Sequence, residues 1–375
     1  MKKKVLASLL AGCMVLGSLT ACGGGEEAVD TTAEPSQEAS AEESEEAAEG
    51  ETAKGDLKVT MILSDRDEWL SEMESGALEA AEELGIELTT QDAQKDTSRL
   101  LQFIETAKND GQKAVIINMV DPETGQECID AAGDMKVVFV NRYPTDLSLL
   151  NENAVYVGSD ENEAGDLQAE YLAEYFEEQG KTDIKYILLS GNYGLTATTL
   201  RTDSALNGLK DRGINATEAT APLVADYNRA EAQDMIAPLL GTVEFDCIIS
   251  NNDAMALGAC EAMTAAGMDP ASVPIVGIDA STDGRKSIAE GQMAMSAFQN
   301  AIGQGSTAVL AAKNLIEGKP AVKEVSLRQT RKTNLTPGYL LSAWMRPMWQ
   351  ITIKIMEERY YECMGQRGSD IKLFQ

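Results

Sequence analysis

Histidine is missing from all 375 residues. Without an imidazole there is no Ser-His-Asp relay, no HExxH zinc motif and no imidazole proton shuttle, which removes most hydrolase mechanisms. Basic residues are scarce: 31 Lys and Arg stand against 61 Asp and Glu, a formal charge of −30 with a pI near 4.3. Nucleic acid and anionic membrane faces are held through clustered Lys and Arg, so neither is expected as the main partner. The six cysteines include no CxxC pair. Cys128, Cys247 and Cys260 fall within apolar or helical patterns, where a buried thiol is expected rather than a metal ligand. Nucleotide loops are lacking too. "GNYG" at 191–194 and "GQG" at 303–305 have neither the third glycine nor the lysine of a phosphate cradle. Both read as turns, and dinucleotide binding is not expected. No pattern calls for a metal or a cofactor.

The N-terminus carries a different kind of information. "MKKKVLASLLAGCMVLGSLTAC" has a basic start, a short apolar stretch rich in small residues, and a closing cysteine. That is an export signal rather than a membrane-spanning helix. Its ending, Leu19-Thr20-Ala21-Cys22, resembles the bacterial lipoprotein box, in which cleavage leaves Cys22 as a lipidated N-terminus. From Glu26 to Ala53 the chain is mostly Glu, Ala, Ser and Thr, with no Lys or Arg. Such a segment buries too little apolar surface to offset its ordering entropy and is expected to be a disordered tether.

Beyond Gly55 short apolar runs alternate with amphipathic stretches: "VTMIL", "AVIINMV", "VVFVN", "AVYVG", "YILLS", "CIISN" and "PIVGID" are separated by helical patterns. This spacing implies βαβ units and parallel sheets covered on both faces. The strands are too many for one open sheet, so the expectation is α/β with two doubly wound lobes. In such sheets ligands sit beyond the carboxyl ends of the strands. There the sequence places Asp65, Asp67 and Trp69, then Asn141 and Arg142, Arg201, Asp226 and Tyr227, Asn252 and Asp253, Asp279, and Gln299 and Asn300. Each alone has a bland reading: Asp253 as a helix N-cap, Asn252 in a turn, Trp69 as a first-turn core residue. Together they offer amides, carboxylates, guanidinium groups and two aromatic rings, the chemistry suited to a small polyhydroxylated ligand.

The segments "VDP", "VFVNR", "VYVGSDENEAG", "NNDAMALGA" and "IVGIDA" resemble the galactose/glucose-binding and ribose-binding proteins of the periplasmic-binding-protein type I family, from about Asp56 to about Pro320. The resemblance implies two Rossmann-like lobes joined by a three-segment hinge, closing on one monosaccharide and delivering it to an ABC transporter permease. It implies a monomer without catalytic activity, held outside the bacterial membrane by the lipid on Cys22. Position by position, it assigns Asp67 and Trp69 to the first-loop carboxylate and stacking ring, and Asn141 and Arg142 to the next loop. Arg201 matches the shared arginine and Tyr227 the second stacking ring. Asn252 and Asp279 match the amide and carboxylate of the other lobe, and Gln299 the hinge glutamine. There are two departures. Leu195 and Ala197 stand where the hexose type has histidine and aspartate, and the stretch from Gln179 to Lys185 lacks the oxygen-rich calcium pattern. Bound calcium is therefore not expected, and the sugar stays open.

The implied organisation is a signal at 1–22, a tether at 23–54, a first lobe of 55–158 plus 300–325, a second lobe of 159–299, and an atypical tail at 333–375. The tail turns basic and rich in Trp, Met and Tyr, and fits either a frame-shifted end or an amphipathic extension. A sugar-sensing receptor or regulator effector domain is the alternative on the same lobes. A regulator would require a helix-turn-helix where this chain has its export signal.

Overall fold

The computed structural model describes residues 57–319, 324–327 and 329–333. Cys22, the tether and the tail beyond Thr333 lie outside the described residues.

The chain begins β1 (Lys58–Leu63), α1 (Glu68–Leu84), β2 (Glu87–Asp92), α2 (Thr97–Asn109), β3 (Ala114–Ile117), α3 (Gly125–Ala132), β4 (Lys136–Val140) and β5 (Ala154–Ser159). It continues α4 (Glu161–Glu177), β6 (Asp183–Ser190), α5 (Thr196–Asp211), β7 (Asn215–Glu218), β8 (Leu223–Val224), α6 (Arg229–Ile236), β9 (Cys247–Ser250), α7 (Asp253–Ala265), β10 (Ile275–Asp279), α8 (Thr282–Ala289) and β11 (Met295–Phe298). The described chain closes with α9 (Ala301–Ile316), β12 (Glu324–Leu327) and β13 (Thr330–Lys332).

Two sheets result, as the alternation implies. The first runs β12-β5-β4-β3-β1-β2 and the second β13-β11-β10-β9-β6-β7, with β8 also pairing β6. The central strands are mainly apolar, and "AVII" of β3 is wholly buried. Such runs have both faces covered, which is the condition of a parallel sheet in a doubly wound fold. Each sheet accordingly has two apolar clusters. On the first sheet, Val59, Met61 and Val138 pack with Trp69, Met73 and Val309 of α1 and α9, while Ile62, Val115 and Phe139 pack with Leu100, Ile104 and Cys128 of α2 and α3. On the second, Tyr186 and Ile249 meet Leu172 and Leu209, and Ile187 and Ile248 meet Ile236, Met255 and Met263. The chain passes between the sheets three times, after β5, after β11 and between β12 and β13.

The details revise three expectations. The "GQG" at 303–305 is not a turn but part of α9. Its glycine serves packing: a Cβ on Gly305 would fall 2.0 Å from the Met73 carbonyl oxygen, and one on Gly76 would fall 2.5 Å from that of Ile302. α1 and α9 therefore touch backbone to backbone. The second sheet is not wholly parallel, because β13 returns antiparallel to β11. Finally, α7 is capped by the Asn252 side chain, which accepts from the Met255 N–H, and not by Asp253.

Candidate ligand-binding site

The carboxyl ends of both sets of strands open onto one cavity of about 280 Å³, at the small end of the range for ligand pockets. All nine residues assigned to a ligand from sequence line it: Asp67, Trp69, Asn141, Arg142, Arg201, Tyr227, Asn252, Asp279 and Gln299.

From the first sheet come the residues after β1 and β4. Asp67 is the N-cap of α1, one carboxylate oxygen accepting the Leu70 N–H at 2.7 Å, which leaves the other for the cavity. Trp69 follows in the first turn of α1. It belongs to the apolar cluster under α1 and it lines the cavity. Its indole N–H donates to the Gln299 carbonyl at 3.4 Å, which ties the ring to the second crossing between the sheets. Asn141 has φ 65° and is fixed by Asn118, whose amide donates to its Oδ1 at 3.1 Å. Arg142 hangs from one Nη, which donates to the carbonyls of Met119 at 2.8 Å and Val120 at 3.2 Å. Desolvation lowers the pKa of its guanidinium, against the pull of Tyr227 and Asp67.

From the second sheet comes a tighter network. Arg201 is buried, and each of its three guanidinium nitrogens makes one hydrogen bond. Its Nε donates to Glu161 Oε2 at 2.6 Å, one Nη to the Asn251 carbonyl at 2.8 Å, and the other to Gln299 Oε1 at 3.2 Å. Burial works against its charge, but Glu161 first, then Tyr227 and Asp279, outweigh this and raise its pKa. Tyr227 has φ 60°. Its hydroxyl lies 2.7 Å from that of Thr198, and its ring lies over Gly191, where a Cβ would come within 2.1 Å. The Asn252 amide donates to the Tyr227 carbonyl at 3.4 Å. Among the described residues the Asp279 carboxylate has no hydrogen-bond partner. Burial raises its pKa well above the ordinary carboxylate value, with Arg201 opposing and Asp253 adding to the effect.

Sequence reasoning missed several lining residues: Glu161, Lys95, Tyr143 and Asn192. Glu161 opens α4 directly after the first crossing, a position the quoted "SDENEAG" already displayed. Lys95 sits in the β2–α2 loop, which bears no strand-end motif, yet its Nζ reaches Asp226 of the second lobe at 3.0 Å and Asp65 of its own at 3.8 Å. Two more bonds span the same cleft: Thr282 donates to Glu72 at 2.7 Å and the Asp283 N–H to Glu68 at 3.1 Å. Leu195 and Ala197 do line the cavity, so the first of the two departures falls within the site. Six carboxylates (Asp65, Asp67, Glu68, Glu161, Asp226, Asp279) face three cations (Lys95, Arg142, Arg201). Arg201 and Lys95 are already paired with protein carboxylates.

The three thiols Cys128, Cys247 and Cys260 are free and buried, as expected. Burial pushes those of Cys128 and Cys260 up to about 12. No helix among the described residues is long and apolar enough to cross a membrane.

A family model described as a periplasmic binding protein domain matches residues 59–320. Over 251 residues the chain is 32% identical to the D-galactose/methyl-galactoside binding periplasmic protein of Haemophilus influenzae, covering 64% of this chain and 75% of that protein. It is 27% identical to the ribose import binding protein of Bacillus subtilis, over 68% of this chain and 79% of that one. Among solved structures, an ABC transporter solute binding protein from Bacillus halodurans with bound myo-inositol aligns at TM-score 0.65 and 25% identity, over 75% of this chain and 96% of that one.

Proposed function

Because this chain belongs to the periplasmic-binding-protein family, we propose that it is the extracytoplasmic sugar receptor of an ABC importer, taking one monosaccharide or cyclic polyol between its lobes. The observation that carries this reading is the cavity's inventory of unfilled polar atoms beside aromatic rings. The Asp279 carboxylate, the second oxygen of Asp67, the remaining N–H groups of Arg142 and the Asn141 amide face the same space as Trp69 and Tyr227. Ring hydroxyls donate and accept at once, so they can satisfy both kinds of group, while the C–H faces stack on the aromatics. The surplus of carboxylates disfavours an anionic ligand, because two of the three cations are already neutralised within the protein. The relatives named for galactose, methyl-galactoside and ribose, and the neighbour holding myo-inositol, support a small neutral polyol. Hydroxyls contacting both lobes stabilise the closed form, because only there are both half-sites complete.

In the same reading Cys22 carries the lipid, the acidic segment is the tether, and the permease is the partner that receives the sugar. The Cys22→Ser protein is expected to leave the membrane fraction. Calorimetry of the full chain with D-galactose, D-ribose, myo-inositol and D-galacturonate tests the ligand class. Saturable binding of at least one neutral compound, recovered chemically unchanged, and none of the uronate is expected. Trp69→Ala is expected to cost roughly 2–4 kcal/mol of binding, about 30- to 1000-fold in Kd. No neutral compound binding, or equal affinity in the variant per folded molecule, would overturn the assignment.

A further inference from the structure

One buried carboxylate next to the cavity has no part in lining it. Asp253 is wholly buried, opens α7, and leaves the capping of that helix to Asn252. Its two oxygens turn the other way, to the end of β10. Oδ1 accepts from the Ser296 hydroxyl at 2.6 Å, and Oδ2 accepts from the Ser281 N–H at 2.8 Å. The Ser296 oxygen in turn accepts the Ala280 N–H at 2.8 Å. One carboxylate and one hydroxyl thus hold both backbone N–H groups that follow Asp279.

The turn they hold needs holding. Asp279 has φ 116° and Ala280 has φ 46°. Neither is glycine, and a residue with a Cβ adopts such backbone only when its surroundings over-determine it. From the far side Arg285 donates to the Ala280 carbonyl, and the Gln299 N–H donates to the Asp279 carbonyl at 3.2 Å. The space around the carboxylate is cut to its length. A Cβ on Gly277 would fall 2.2 Å from Oδ1, and one on Gly284 would fall 2.0 Å from Oδ2.

We propose that Asp253 is a positioning residue: through Ser281 and Ser296 it clamps the strained Asp279–Ser281 turn and so aims the Asp279 carboxylate into the cavity, without touching the ligand itself. This rests on the reading of the cavity as a sugar site. An asparagine at 253 matches the shape but not the chemistry. Its oxygen can accept one of the two bonds, while its NH₂ faces either the Ser281 N–H, donor against donor, or Ser296, whose hydroxyl then loses its carboxylate acceptor. The clamp then loses one anchor with little change in packing volume.

The test uses full-length protein in four forms: parent, Asp253→Asn, Asp279→Asn and the double variant. Hydrogen exchange resolved at single amides reports the clamp. In Asp253→Asn the Ala280 and Ser281 amides are expected to exchange at least tenfold faster, with the amides of α7 unchanged. Calorimetry with D-galactose, D-ribose and myo-inositol reports the consequence. Asp253→Asn is expected to weaken binding at least tenfold in the parent background and less than twofold in the Asp279→Asn background, because its effect runs through Asp279. Unchanged exchange at 280 and 281, or an equal loss in both backgrounds, overturns the proposal. The second outcome is that of a merely structural residue. If the parent binds none of the three compounds, the sugar reading fails, and the exchange rates alone decide for or against the clamp.

Discussion

Arg201→Met removes the only cation among the described residues that pairs with Glu161, and the cost can be worked from the structure. The side chains of the pair are 5% and 3% exposed and meet at 2.6 Å. Breaking a buried pair from one side leaves an uncompensated charge, at about 3–5 kcal/mol. The change also strips a donor from the Asn251 carbonyl and one from Gln299 Oε1, and an unmet buried acceptor adds roughly 1–3 kcal/mol where water cannot replace the donor. Removing both charges together, as Glu161→Leu/Arg201→Met, trades an ion pair for apolar volume and is expected to cost less than either single change. A coupling of at least about 2 kcal/mol should therefore emerge from the double-mutant cycle. Equilibrium unfolding in urea, followed by far-UV circular dichroism, is the assay. With a slope of about 3 kcal/mol per molar, the Arg201→Met midpoint should fall by more than about 1 M. Single variants that each lose less than about 1 kcal/mol, or a double variant whose loss equals their sum, would refute this account of the pair.

Two further outcomes are expected. Lys95 and Asp226 join the lobes at 3.0 Å with side chains 55% and 35% exposed, so Lys95→Met should raise Kd by only about 1.4- to 5-fold, the range of a 0.2–1 kcal/mol surface pair. That difference should vanish by about 1 M salt, and a difference that persists there would mean Lys95 acts otherwise. The second outcome concerns pH. Burial pushes the Asp253 carboxyl up to about 7 from the ordinary carboxylate value of 3.8, so on raising pH the unfolded chain releases this proton first. Between those values the folded state holds more protons than the unfolded one, and stability should fall with rising pH by at most about 1.4 kcal/mol per unit. The difference in urea midpoint between parent and Asp253→Asn, taken from pH 4 to 7.5, isolates this group, and parallel profiles would contradict it.

The two-sheet architecture was legible because the central strands announce themselves as short apolar runs between amphipathic stretches, and buried parallel strands leave little ambiguity. Strand ends could likewise be read as a site, since polar residues there follow runs such as "AVII" and "CIIS" without an intervening loop. What escaped depends on distance along the chain. Lys95 meets Asp226 across 131 residues, and nothing local marks it. Asp253 was read as the cap of α7 and Asn252 as part of a turn, because both are good caps and only the position of Ser281 and Ser296 decides which one turns away from the helix. "GQG" reads locally as a turn, yet α1 approaches it so closely that small residues are needed inside the helix. β13 is three residues long and polar, and it is a strand only because β11 offers it an edge.

Backbone strain gives the site its remaining logic. Among the described residues seven non-glycine positions have positive φ: Gln94, Lys95, Asn141, Asp226, Tyr227, Asp279 and Ala280. They fall in four loops, after β2, β4, β8 and β10, and each loop contributes residues that line the cavity. Conformations of this kind cost of order 1–3 kcal/mol apiece and survive only where their neighbours dictate them. The neighbours here are visible: Asn118 at Asn141, Gly191 and Thr198 at Tyr227, and Ser281, Ser296 and Asp253 beyond Asp279. Four well-filled apolar clusters stabilise the sheets, so the loops can hold unfavourable backbone without unfolding the lobes. A ligand then meets side chains already fixed in place, and little of its binding energy is spent on ordering them. On this view selectivity resides less in the lining residues themselves than in the buried groups that hold their backbone, which is why residues such as Asp253 and Asn118 matter to a cavity they do not line.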